Sequence, residues 1–240
     1  MTVHATALRR FEIQSGLDEV RHRIEAACAA AGRSVDDVTL VVVTKTFPAS
    51  DVELLHELGC LDVAENRDQE ARQKVESLAS IRSSLRWHMI GQLQRNKARS
   101  VAGWADVVES VDRLDLADAL SASAVSRQRT IDVLIQVSLD PDPLEGRGGI
   151  RRADVGPVAE AVSALPGLRL SGVMGVAPHP GDPNDAFALL REAASAVQLV
   201  RVEARTISAG MSGDLEQAIA HGATQVRIGG AILGKRAHVG

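Results

Sequence analysis

The chain has 240 residues, is 45% hydrophobic and 24% charged, and carries a formal net charge of -4, which excludes a disordered or fibrous chain and fits a single α/β barrel. Aromatics are only 2%, Tyr is absent and there is no basic tail, so neither a base-stacking module nor a phosphate-backbone footprint for nucleic acid is expected. Cys28 and Cys60 give no disulfide or zinc spacing, no His pair has metal-ligand spacing, and no stretch reads as a signal peptide or membrane span, so a metal-free cytoplasmic protein is expected.

The first predicted element is a helix over 17–31, where Leu17, Val20, Ile24, Ala27, Cys28 and Ala31 share one face and Gly32 supplies a stop. Eight strand-like runs follow, at 39–45, 61–66, 86–91, 106–111, 131–139, 168–176, 205–210 and 224–230. Several are nearly continuous in Val, Ile and Leu, the pattern of strands covered on both faces. Helical patterns fill the gaps, at 51–58, 68–80, 94–102, 113–125, 151–164, 185–200 and 214–221.

Strand–helix alternation at this spacing predicts right-handed βαβ units and a parallel sheet. Eight strands suit a closed (β/α)8 TIM-type barrel better than an open sheet. The N-terminal helix is expected to occupy the eighth place in the outer ring. No domain boundary is evident, so residues 1–240 are read as one domain.

In such a barrel the functional residues gather at the C-terminal ends of the strands. Those positions hold Lys45, Glu65 and Asn66, His88 to Gln92, Met174, Ser208 to Ser212, and Arg227 to Gly230. Lys45 ends an apolar run, where desolvation favours the neutral, nucleophilic amine able to form a Schiff base with a carbonyl. A lysine snorkelling out of a strand end is the plainer alternative.

The segments SAGMSGD (208–214) and RIGGAILG (227–234) follow the seventh and eighth strands. Glycines there let successive N–H groups turn toward an anion, and a following helix adds positive field. These loops are the usual phosphate site of the architecture. Tight turns needing positive φ are the other reading. Lys45 beside both loops suggests a phosphorylated aldehyde, either pyridoxal 5′-phosphate or a sugar phosphate.

Seven motifs in this order resemble the pyridoxal-phosphate homeostasis proteins, relatives of the alanine racemase barrel domain. They are VVVTKTFP (41–48), VAENRDQEA (63–71), WHMIGQLQRNKAR (87–99), VLIQVSL (133–139), GVMGVAP (172–178), ISAGMSGDLEQAI (207–219) and VRIGGAILGKR (226–236). The resemblance covers about residues 12–236 and implies a fold type III barrel that binds pyridoxal 5′-phosphate.

It further implies that Lys45 forms the internal aldimine and Asn66 lies beside the cofactor. His88 and Met174 would line the pocket, while Ser208, Ser212, Gly229 and Gly230 would bind phosphate. Arg227 would face the pyridine nitrogen, where its fixed charge disfavours ring protonation and curbs carbanion chemistry. The chain departs from the family pattern at Ala64, usually Gly, at Gly230, usually Thr, and at Thr44, commonly Ser. Arg147 is aligned loosely with a family lysine.

The resemblance implies a non-catalytic carrier in cofactor homeostasis, with apo-enzymes or cofactor-synthesis enzymes as partners, and the lack of a dimerising second domain favours a monomer. An amino-acid racemase is the first alternative, and a Schiff-base aldolase acting on a sugar phosphate is the second. Racemisation needs a second acid/base on the opposite face of the substrate, for which the related racemases use a tyrosine, and this chain has none. Glu65 is a weak general-base candidate, and the basic run Arg95, Lys97 and Arg99 reads as a solvated helix face or a partner contact.

Overall fold

The computed structural model describes residues 3–140 and 148–234. Arg147 therefore lies outside the described residues. In chain order the elements are α1 (Val3–Ala30), β1 (Thr39–Val43), α2 (Ala49–Glu57), β2 (Asp62–Glu65), α3 (Asp68–Ser77), β3 (Arg86–Met89), α4 (Ala98–Val101), β4 (Val107–Val111) and α5 (Leu114–Ser126). They continue with β5 (Ile131–Gln136), α6 (Val155–Ser163), β6 (Leu168–Met174), α7 (Pro183–Val200), β7 (Thr206–Ser208), α8 (Leu215–Ala220), β8 (Gln225–Ile228) and α9 (Gly230–Leu233).

Each strand pairs in parallel with the next, and β1 pairs with β8, closing a (β/α)8 TIM-type barrel. All eight predicted runs contain a strand, each shorter than predicted. β1 stops at Val43 rather than residue 45. Thr44 still donates its N–H to the Ala64 carbonyl at 2.9 Å, but the chain turns at Lys45 and Thr46, where Thr46 has φ 71. The predicted helices at 94–102 and 151–164 each begin with one 3₁₀ turn before the α-helix starts.

Strand alternation sorts the side chains into two layers. Val63, Trp87, Met89, Val108, Val133, Ile135 and Val173 pack under the outer helices. Val41, Val43 and Ala64, with Ile90 against them, face the barrel axis. Also inside is a polar group, since Glu109 on β4 reaches Ser208 on β7 and Gln225 on β8.

Helix α1 is longer than predicted, beginning at Val3, and its buried stripe starts at Ile13. Ile13, Leu17, Val20 and Ile24 pack with Leu215, Ile219, Ile228 and Ile232, closing the outer ring between α8 and α2. A Cβ on Gly16 would stand 2.8 Å from the carbonyl oxygens of Ala231 and Ile232; only glycine lets the helix come so close to α9. No helix among the described residues is long and apolar enough to cross a membrane.

Candidate functional site

Lys45 sits half-buried in the turn above β1. Both flanking peptide groups are held from α3. The Thr44 carbonyl accepts from Lys74 Nζ at 2.7 Å, and the Thr46 N–H donates to Glu70. Lys74 Nζ also donates to Glu65 Oε1 at 2.7 Å and Glu70 Oε1 at 2.8 Å, and the Thr44 hydroxyl donates to Glu65 Oε1 at 2.6 Å. Glu65 is thus turned toward α3, away from Ala64 and the barrel axis. Burial pushes its carboxyl pKa up, and the Lys74 charge offsets only part of that.

Asn66 follows β2 at the neighbouring strand end. A Cβ on Gly91 would lie 2.1 Å from the Asn66 carbonyl oxygen, so the chain after β3 must be bare to pass it. A cavity of about 830 Å³ opens beside Asn66, lined among others by Met89, Gln92, Lys97, Asp112 and Gly148. Of the basic run, Lys97 lines this cavity, while Arg95 and Arg99 are exposed beyond it. Met174 is buried at the end of β6, in register with Gln136 and Ser208.

The glycine turns follow β7 and β8. Gly229 abuts β1, where a Cβ would stand 3.1 Å from the Val43 carbonyl oxygen, whereas a Cβ on Gly230 would meet nothing within 4 Å among the described residues. Gly210 has φ 91 and opens the turn that carries Ser212. The N–H groups of Ser212, Gly213, Gly230 and Ala231 make no hydrogen bond among the described residues. α8 and α9 are short, so these turn amides, more than any helix field, are the donors available to an anion. α1 braces both turns: Arg23 donates to the Ser212 carbonyl at 2.9 Å and Arg9 to that of Leu233 at 3.0 Å.

Below the mouth lies the polar layer. His88 is fully buried, level with Ala64, with Nδ1 2.8 Å from Glu109 Oε1 and Nε2 3.0 Å from Asp62 Oδ1. Carboxylates only accept, so both ring nitrogens donate and the ring is an imidazolium. Burial opposes that charge, but the bonds to Asp62 and Glu109 outweigh it and raise the His88 pKa.

Burial likewise works against the Glu109 charge, yet His88, Arg227 and Ser208 hold its carboxyl below the usual range. The Ser208 hydroxyl donates to Glu109 at 2.6 Å and accepts from Gln225 Nε2 at 3.0 Å and from Arg227 Nη1. Arg227 Nη2 donates to the Gly175 carbonyl at 3.0 Å, just past β6.

Of the nine residues named from sequence, the structure brings Lys45, Asn66, Met174, Ser212, Gly229 and Gly230 to the strand ends and turns. His88, Ser208 and Arg227 are joined in the layer beneath, where the His88 ring and the Ser208 hydroxyl are committed to Glu109. Sequence reasoning missed Glu109, Gln225, Asp62, Glu70 and Lys74. The one signal for the last pair was its i,i+4 spacing.

The fold and the mouth define a barrel of the racemase type, and the profile of the family described as alanine racemase, N-terminal domain, matches residues 16–237. The pyridoxal phosphate homeostasis protein of Mycobacterium bovis is 40% identical over 95% of this chain and 94% of its own length. The Escherichia coli protein of that name is 36% identical over 94% of this chain and 97% of its own. PipY of Synechococcus elongatus, solved with pyridoxal phosphate bound, superposes with a TM-score of 0.80 at 30% identity, covering 92% of this chain and 100% of that one. The chain belongs to the pyridoxal phosphate homeostasis protein family.

Proposed function

We propose that this chain binds pyridoxal 5′-phosphate as a Schiff base on Lys45 and serves in its homeostasis inside the cell, holding the cofactor and passing it on without strong catalysis. The observation that carries the reading is the meeting of two features on one residue. Lys45 lies two positions beyond Val43, and the Gly229 turn packs on the Val43 carbonyl. A single small ligand can therefore reach the amine with its aldehyde and the turn with its phosphate.

The residues present fit that ligand. The turns after β7 and β8 hold N–H donors without a partner among the described residues, Gly229 and Gly91 leave out side chains where backbone approaches closely, and Asn66 would flank the ring. When bound, pyridoxal phosphate supplies an aldehyde and an electron-withdrawing ring. Arg227, held by Ser208 and Gly175, would supply a fixed positive charge toward the ring nitrogen of the bound cofactor, which would disfavour its protonation. His88, Ser208 and Glu109 act through Arg227.

The solved relative carrying pyridoxal phosphate and the names of the curated relatives support this reading. We further propose that the chain acts as a cytoplasmic monomer, as one domain, with apo-enzymes or cofactor-synthesis enzymes as its partners. The sequence holds no Tyr to serve as a racemase's second base. The test is to load the protein with pyridoxal phosphate and offer L-alanine. A carrier turns yellow and yields no steady D-alanine. Steady turnover, or a protein that stays colourless at saturating ligand, overturns the proposal.

A further inference from the structure

We propose that Lys74 and Glu70, backed by Glu65, are the positioning residues that aim Lys45 at its aldehyde. The inference rests on the covalent reading of Lys45 given above. A knot that merely fastened α3 to the barrel could bind any peptide group. This one binds the two that bracket Lys45: Lys74 holds the carbonyl before it and Glu70 the N–H after it. The turn needs holding, because Thr46 has φ 71, a conformation that L side chains rarely adopt.

Lys74 is itself unfit to be the reactive amine. Its ammonium is buried and has three acceptors, Thr44 O, Glu65 Oε1 and Glu70 Oε1, which match its three donors. Glu65 makes its hydrogen bonds through Oε1, to Lys74 and Thr44, and its buried Oε2 has no hydrogen-bond partner among the described residues. Buried polar groups of this kind set one geometry among alternatives that an apolar contact would allow. The consequence is a division of labour. The glycine turns hold phosphate whether or not Lys45 is aimed, whereas bond formation between Nζ and the aldehyde carbon, with loss of water, depends on the knot.

Two ligands separate these contributions. Pyridoxine 5′-phosphate carries the ring and phosphate but an alcohol in place of the aldehyde, so it cannot bond to Lys45. Calorimetric affinities for it and for pyridoxal 5′-phosphate are measured on wild type, Glu70→Ala, Glu70→Gln and Lys74→Met. Loss of the charge-assisted bonds is expected to weaken pyridoxal phosphate roughly tenfold in Glu70→Ala and Lys74→Met. Pyridoxine phosphate should stay within about twofold of wild type in both. Glu70→Gln should behave as wild type, because its amide oxygen still accepts from Thr46 and Lys74.

Equal weakening of both ligands would show a general structural role, and unchanged pyridoxal phosphate affinity would show no role; either overturns the inference. Should Lys74→Met fail to fold, Glu70→Ala decides alone, since the Glu70 side chain is 28% exposed and its loss leaves the Lys74–Glu65 pair in place. A wild type that binds both ligands but leaves no borohydride-trapped adduct on Lys45 sinks the covalent reading and this inference together. A wild type that traps the adduct, with variants unaffected, sinks only the inference.

Discussion

The guanidinium of Arg227 lies 3.7 Å from the carboxylate of Glu109, and neither has appreciable contact with water. Glu109 is the hub of the barrel interior: His88, Ser208 and Gln225 donate to it, and Arg227 balances its charge. Glu109→Gln leaves one amide oxygen to serve donors that now meet two carboxylate oxygens, and it leaves two buried cations with less counter-charge. Breaking a buried pair from one side costs about 3–5 kcal/mol. Urea unfolding should show a loss of that order, well beyond the few tenths expected of a surface Glu→Gln change.

The His88 imidazolium makes stability depend on pH with a definite sign. Its folded pKa is raised above the unfolded value of about 6.5. Its contribution is fully present below about pH 6.5 and is lost as pH rises through the folded value. Wild type should therefore exceed His88→Gln in unfolding free energy by most at acid pH, with the gap narrowing above neutrality. A gap that stays flat or widens with rising pH would mean the ring is neutral between its two carboxylates.

Two glycines at the mouth should respond oppositely to substitution. In Gly91→Ala the new Cβ would collide with the Asn66 carbonyl oxygen at 2.1 Å, so the backbone itself must shift. A cost of about 1–3 kcal/mol and weakened ligand binding are expected. Among the described residues, position 230 is open, with nothing within 4 Å of a Cβ. Gly230→Thr should fold normally, gain up to about 1 kcal/mol by restricting the unfolded chain, and bind pyridoxal phosphate several-fold tighter through the added hydroxyl. Thermal unfolding and calorimetry check both.

Much of this was legible in the sequence because barrels write their strands as apolar runs. Lys45, Asn66 and the two glycine turns stood out through their places at strand ends. The true start of α1 did not, since Leu8 and Phe11 are exposed and no buried stripe runs before Ile13 among the described side chains.

The polar layer was hidden for a different reason. His88 and Glu109 occupy inward positions, but their meeting with Ser208, Gln225 and Arg227 is set by barrel closure, which brings residues 99 and 116 positions apart within hydrogen-bond reach. The Glu70–Lys74 spacing could be seen along α3, yet its target, Thr44, lies 30 residues earlier in the chain. Strand alternation did already set Glu65 on the face opposite Asn66, which argues against its reading as a base at the mouth.

The covalent anchor is the centre of the account. Wild type and Lys45→Ala loaded with pyridoxal 5′-phosphate, reduced with borohydride and digested, can be read by peptide mass spectrometry. A phosphopyridoxyl mass on the peptide containing Lys45, absent from the variant, is the expected result. An unmodified Lys45 peptide in fully loaded wild type, or the mass on another lysine of that protein, would contradict it.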